Sequence, residues 1–452
     1  MYLIVFSNFS IFFLFNFLFV CFPLHLLRHN DNPGGTSNVT GQQSSRQDEI
    51  AFDRNNSTKV MSYFEIVIIV GKSIMGVGLF AMPYAFSCVG LFFGIIFLIA
   101  MGFLIVICKR LLLKIHHMVC IRLEKPIVMY DEMVVSILKD MNDGIPRIVL
   151  ELAKCFTNII LIFYYIDIGA VCVDFIGDIL RNLSNIEGMK YPIHYTLIFF
   201  PFFMLINLSE DLHKMIVISM LGNILIINST VMGIVYSFQK DNSDDWKIVS
   251  RKLYYYPRFF GFVFCSLSSP GLILAIEHSS QRLWTYNKLY GILNQCMTII
   301  TCIHLIVGII GYIKCGSNVS ENFIYNIQKD GDGYSLIAFI TQAVAIYFTY
   351  GLQCYVPINI VLKQYVLPII ENKIRKGTPN LWELITRFVI TLITCLKLLT
   401  SILNLRRYLT ELYSELTPTN CPYWPNVQHY IDGYSTAHFI YYLICRKSRG
   451  GR

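Results

Sequence analysis

Charge is what this chain has least of. Only 15% of its 452 residues are Asp, Glu, Lys or Arg, against roughly 25% in a soluble domain. With 55% hydrophobic residues and a mean hydropathy of +0.53, that shortage excludes an ordinary soluble globular protein. Paired cysteines are missing as well. None of the 14 cysteines stands in a CxxC spacing, so neither a zinc site nor a dithiol redox motif is supported. Cys88, Cys155, Cys265, Cys302 and Cys354 lie within apolar segments, where cysteine acts as a small hydrophobe. No nucleophile, metal cluster or phosphate loop rises above chance, so an enzyme is the least favoured class and no cofactor or metal is implied. The net charge of +8 does not point to nucleic acid; basic loops on the cytosolic face of a membrane account for it.

What the chain does have is apolar length. Segments of about 20 apolar residues, the length of a membrane helix, recur at Ile4–Leu24, Phe64–Phe86, Val89–Leu113, Ile148–Phe175, Pro192–Leu208, Met215–Phe238, Arg258–Ile276, Tyr290–Ile313, Leu336–Val361 and Leu384–Leu403. The expected fold class is an all-α polytopic membrane protein with the lipid bilayer as its solvent. Residues 1–28 form an extra hydrophobic segment, either a signal-anchor or a wrong chain start. Residues 29–62 are too polar to bury a core and read as a disordered cytosolic segment. Residues 63–403 form the core and 404–452 a divergent tail, in which Ala437–Cys445 is too short to span.

Loop charge sets orientation. Lys109–Arg147 reads as a basic loop carrying Lys109, Arg110, Lys114, Arg122, Lys125, Lys139 and Arg147, and a second follows Val361. With both in the cytosol, the sequons at Asn182 and Asn318 face the other side, where glycosylation is expected. Asp167, Asp174 and Asp178 share one face at the outer end of the third core helix. They read as a solvated interface, with a cation-attracting vestibule as the alternative.

One span is interrupted. Between Tyr63 and Phe86 stand Gly71, Lys72, Ser73, Gly76, Val77, Gly78 and Pro83. At ~1.5 Å per residue Lys72 lies roughly 14 Å in from Tyr63, near mid-bilayer. A charge there marks a functional site by default; the alternative is a lysine that snorkels or pairs with Glu65. Loosened backbone at that depth is tolerated only where it is buried in protein or lines a cavity. Close packing of helices through Gly76 and Gly78 is the other reading of the glycines. The sixth core segment has a comparable weak point at Ser266, Ser268, Ser269, Pro270 and Gly271.

The run Lys72–Pro83 resembles the first helix of the amino acid/auxin permease family, most closely its proton-coupled amino acid transporter branch. Thr349-Tyr350-Gly351-Leu352-Gln353-Cys354-Tyr355-Val356-Pro357 is similar to that family's eighth-helix motif Thr-Tyr-x-x-Gln-x-Tyr-Val-Pro. Ser219 with Asn223, Glu277, and Gly311-Tyr312 with Gly316 agree in order along the chain. The resemblance implies an inverted-repeat transporter fold with the first and sixth core helices unwound around a midplane site, here lacking the last two helices. It implies substrate contacts from Lys72, Ser73, Gly76, Val77, Gly78, Ser268, Ser269, Gly271, Tyr350 and Gln353. Structural or gating roles fall to Pro83, Asn223, Glu277 and Pro357. A half-helix starting near Leu79 would turn its positive end to an amino acid's carboxylate.

Two positions depart from that branch. Ile69 stands where the branch often has histidine, and Ser268 where it usually has glutamate. Both remove titratable groups, so proton coupling stays an open question, while Lys72 argues against sodium. The expected function is secondary active transport of small neutral amino acids by alternating access, in a plasma or lysosomal membrane. The alternatives are an amino-acid sensor without significant flux and a non-functional product truncated or altered at its end.

Overall fold

The computed structural model describes residues 62–125, 128–141, 144–184, 192–208, 212–239, 243, 245–250, 255–269, 272–274, 276, 291–327, 333–368 and 381–397. The extra segment 1–28, all but the last residue of 29–62, and the tail 404–452 lie outside the described residues. So does the second of the two units into which the chain divides, Thr400–Arg452.

Every described regular element is helical, as the apolar runs predict. The first, α1 (Tyr63–Ile74), starts where Ser62 and Glu65 form a reciprocal capping box, with Ser62 N–H donating to Glu65 Oε2 at 2.7 Å. Glu65 is thereby committed to the helix start rather than to Lys72. The helix ends because Met75 is extended, at φ −76° and ψ 98°. After Gly76 the chain resumes as α2 (Val77–Val89), bent 46° from α1. Then follow α3 (Leu91–Leu123), α4 (Tyr130–Met141), α5 (Arg147–Ser184), α6 (Pro192–Ile206), α7 (Leu212–Phe238), α8 (Tyr256–Leu267), α9 (Ile292–Cys315) and α10 (Gly333–Ile360). The last continues as a wide, π-type turn over Val361–Val366, and a final helix, α11, covers 381–397. Among the described residues, six helical stretches are long and apolar enough to cross a membrane, or seven with α1–α2 as one bent span.

Two expectations are corrected here. Among the described residues, the span expected at Pro192–Leu208 is a helix of 15 residues, about 22 Å at 1.5 Å per residue, short of a ~30 Å hydrocarbon core. Lys109 is no loop residue: α3 runs 33 residues without a break, ending only at Glu124, whose φ of 53° is left-handed. Lysine and arginine are good helix formers, so charge marks where a helix leaves the membrane, not where it ends. The span over Arg258–Ile276 shows its expected weak point: the helix stops at Leu267 and the chain turns helical again at 272–274, while Tyr256–Leu274 as a whole is long and apolar enough to cross a membrane.

Lipid-like surroundings give helices little hydrophobic drive to associate, so close packing through small residues matters most. Phe86 of α2 is wedged between two glycines. A Cβ on Gly94 of α3 would lie 2.7 Å from its ring, and one on Gly308 of α9 would lie 2.6 Å from it. Gly311 likewise makes room for Pro83, whose Cγ would be 2.4 Å from an added Cβ. α5 packs along α10, and α10 along α7, while α2 is held between α8 and α9. Large apolar side chains face outward elsewhere, Phe64, Phe103 and Ile148 among them.

At the α2–α3 corner, Gly90 has φ +90°. The chain at 247–250 lies against it. Leu91 and Phe92 donate to Lys247 O and Ile248 O at 3.1 and 2.9 Å, and Ser250 N–H returns a bond to Val89 O at 3.0 Å. These bonds satisfy donors that the start of α3 leaves open. A Cβ on Gly90 would sit 2.7 Å from Ser250 N. Gly90→Ala should therefore destabilise the protein by about 1–3 kcal/mol, read as a lower melting temperature in detergent.

At the other end of the helices, α4 is laid against α5. Its buried Asp131 accepts from Gln364 Nε2 at 3.0 Å and faces Lys154 Nζ at 3.6 Å. Asn158 of α5 joins the same group, donating to Gln364 and, at 3.1 Å, to the Tyr365 hydroxyl.

Candidate functional site

The break between α1 and α2 is set by a backbone that stops making helical bonds at Met75–Gly76. Met75 N–H still reaches Gly71 O at 2.8 Å, and Leu79 N–H closes on Gly76 O at 3.2 Å. Helix α2 thus begins at Val77, two residues earlier than the half-helix expected near Leu79. The carbonyls at the end of α1 find side-chain partners on other helices. Gln353 Nε2 of α10 donates to Ser73 O at 3.0 Å, while the Ser73 hydroxyl turns back to Val70 O at 2.8 Å. Asn223 Nδ2 of α7 braces the same helix at Ile68 O, 2.8 Å away. Gly76 faces Thr349 of α10, whose Cγ2 would be 3.2 Å from an added Cβ.

Lys72 is fully buried. Its amine donates to Ala345 O of α10 at 2.8 Å, and its tip lies against Gly222 of α7, where an added Cβ would be 2.8 Å from Nζ. It neither snorkels nor pairs with Glu65.

The second break comes at the end of α8, where Ser268 is extended at φ −83° and ψ 158°. Two tyrosines of α5 hold the interrupted chain on either side. The Tyr164 hydroxyl bonds the Ser268 hydroxyl, and the Tyr165 hydroxyl accepts from Leu272 N–H at 2.9 Å. Two residues back, the Ser266 hydroxyl meets His304 Nε2 of α9 at 2.6 Å, and His304 Nδ1 lies 2.8 Å from Ile300 O. His304 is thus a satisfied packing residue that fixes α8 to α9. Among the described residues, the buried Ser269 hydroxyl has no hydrogen-bond partner, and neither has Gln353 Oε1.

The two breaks meet through Gly78. A Cβ there would stand 2.3 Å from Ser266 Cβ and 2.7 Å from Ser266 Cα, so α2 and α8 touch backbone to side chain with nothing between. Lys109 enters from α3. The residue is buried, and its amine donates to Leu267 O at 2.9 Å, the last α8 carbonyl before Ser268, and lies 3.4 Å from Met297 Sδ of α9.

Of the residues predicted from sequence, Lys72, Ser73, Gly76, Val77 and Gly78 lie at the first break, Ser268 and Ser269 at the second, and Gln353 spans from α10 to the first. Tyr350 is buried but engaged elsewhere. Its hydroxyl lies 3.0 Å from Thr394 Oγ1 of α11 and accepts from Asn207 Nδ2 at 3.3 Å. Pro83 and Pro357 sit within α2 and α10, and Asn223 supports α1. Gly271 and Glu277 lie outside the described residues. Asn182 occupies the last turn of α5, and Asn318 closes a short 3-10 turn, Gly316–Asn318.

Asp167 departs from its expected place in a solvated interface. It is 1% exposed and paired with Lys397 of α11, whose amine also lies 5.4 Å from the Phe163 ring centre. Sequence reasoning missed Tyr164, Tyr165 and Lys109. Adjacent tyrosines inside an apolar span were the available signal for the first two, because a buried phenol needs a hydrogen-bond partner.

The family model described as transmembrane amino acid transporter protein matches residues 59–403. Among curated proteins, the chain is similar to the "Proton-coupled amino acid transporter-like protein pathetic" of Drosophila melanogaster, at 22% identity over 303 residues, 64% of this chain and 61% of that protein. It is also similar to the "Probable amino acid transporter skat-1" of Caenorhabditis elegans, at 19% identity over 279 residues, 61% of each. The matched region thus covers less than two thirds of either relative's length. No solved structure matches the chain. With its apolar helices and a family match running through most of its length, the chain is a multi-pass integral membrane protein and belongs to the transmembrane amino acid transporter family.

Proposed function

We propose that the protein carries small neutral amino acids across a membrane by alternating access, with the substrate held between the α1–α2 break and the Ser268 break. The observation that carries this reading is the meeting of two interrupted helices at Gly78 and Ser266. Discontinuous helices near the midplane are how many secondary transporters bind substrate. Buried polar atoms with open valences belong to the same region. Gln353 Oε1 can accept from an ammonium group, and the Ser269 hydroxyl can donate to a carboxylate. The start of α2 adds backbone N–H groups and a positive helix end.

Proton coupling is the open part of the reading. Ser268 and Ile69 offer no titratable group, and Ser268 is tied to Tyr164 instead. A sensor that binds amino acid without appreciable flux is the second reading, favoured by that same substitution of serine for a carboxylate. The test is uptake of labelled alanine, glycine and proline into vesicles containing the full chain, at acidic and neutral outside pH. Saturable uptake of at least one is expected. Its absence at both pH values would sink transport, and ligand-induced thermal stabilisation without flux would select the sensor.

A further inference from the structure

Two buried amines lie near the two breaks, those of Lys72 and Lys109. Among the described residues, neither Lys72 nor Lys109 forms an ion pair with a carboxylate; each donates to a backbone carbonyl. The two buried lysines differ in one respect. Lys72 is directed to the middle of α10, between that helix and α7. Lys109 reaches the carboxyl end of the α8 half-helix, immediately before Ser268 and the unpartnered Ser269 hydroxyl.

A helix's last carbonyls lack intrahelical partners and carry the negative end of its dipole. In an interrupted membrane helix that end is a natural seat for a cation, and half-helix carboxyl ends bind coupling ions in many transporters. Here the seat is taken by a side chain anchored on another helix. The second contact of the amine, a thioether sulfur, is a weak acceptor that compensates little charge.

We propose that Lys109 is a specificity-determining residue: its amine, fixed at the carboxyl end of α8, excludes amino acids with cationic side chains from the site. The inference rests on the amino-acid-binding reading above and deepens it by naming the class that is rejected. With the Lys109 amine protonated, a lysine or arginine substrate would bring a second positive charge beside the first, away from water. Like-charge juxtaposition of that kind is unfavourable and rejects the wrong partner. Neutral side chains meet no such cost.

The test uses the full chain in vesicles, with labelled alanine as the reporter and unlabelled arginine, lysine and serine as competitors. A parallel measurement follows thermal stabilisation in detergent by the same compounds. In the unaltered protein, serine should compete and arginine and lysine should not. In Lys109→Met the ratio of arginine to serine inhibition should rise about tenfold or more, whereas Lys109→Arg, which keeps the charge, should retain the exclusion. A merely structural lysine would lower uptake in both variants without moving that ratio, and that result overturns the proposal. Where Lys109→Met does not fold, Lys109→Gln takes its place.

Competition by arginine in the unaltered protein overturns charge exclusion and leaves amino-acid transport standing. No alanine uptake, with stabilisation by serine and alanine but not by arginine, overturns transport and supports exclusion. Neither uptake nor stabilisation by any of them overturns both.

Discussion

Gly78→Leu should abolish amino-acid uptake while leaving the chain inserted in the membrane. Even the first carbon of the new side chain would lie 2.3 Å from Ser266 Cβ and 2.7 Å from Ser266 Cα. The Cα cannot swing aside as a flexible side-chain tip could, so α2 and α8 must separate. Separation pulls Ser266 from His304 and shifts Ser268 relative to Tyr164. Overpacking of this kind costs typically 1–3 kcal/mol, little against the insertion of several apolar spans but enough to spoil a site that must be positioned to within about 0.5 Å. Uptake in vesicles, set beside the amount of inserted, monodisperse protein, gives the answer. Normal uptake would mean that the meeting of the breaks is not the site.

Asp167→Asn should be the most destabilising change at the α5–α11 interface. Removing one partner of a buried ion pair leaves the other charge uncompensated, at a cost of about 3–5 kcal/mol. Lys397→Met should cost a similar amount, since Asp167 is the more deeply buried of the two. The double variant should recover most of the loss, because an apolar replacement of a buried pair is often neutral. Melting temperatures of the four proteins in one detergent close the cycle. Additive losses would show that the two charges are stabilised by other groups.

The features legible in the sequence were those that recur within one segment. The bend at Gly76 followed from small residues and a lysine inside a span, and the stop at Ser268 from serines beside Pro270. The apolar runs gave the all-helical membrane class but not the helix ends, because Lys109 and Arg110 continue α3 where charge suggested a loop. The site's supports were illegible for a different reason. Lys109 meets Leu267 across 158 positions, and Tyr165 meets Leu272 across 107; no local pattern encodes such pairs. Asp167 was misread because one carboxylate on a helix face looks the same whether water or a distant Lys397 awaits it. Tyr350 shows a further limit. A residue within a family motif is located by the resemblance, but the direction of its hydroxyl, toward Thr394, is set by Asn207 just past α6 and by α11.

The group around Asp131 bears on how the molecule can flex. A wide helical turn at Val361–Val366, just beyond Pro357, is where a long rod would be expected to articulate. Gln364 inside that turn is tethered to both α4 and α5, and Tyr365 to α5 as well. The turn is therefore a weld more than a joint. A tilt of α10 carries α4 and the near end of α5 with it as one lever, and the contact it moves is the one Gln353 makes, two to three turns from the tethered end, with the end of α1.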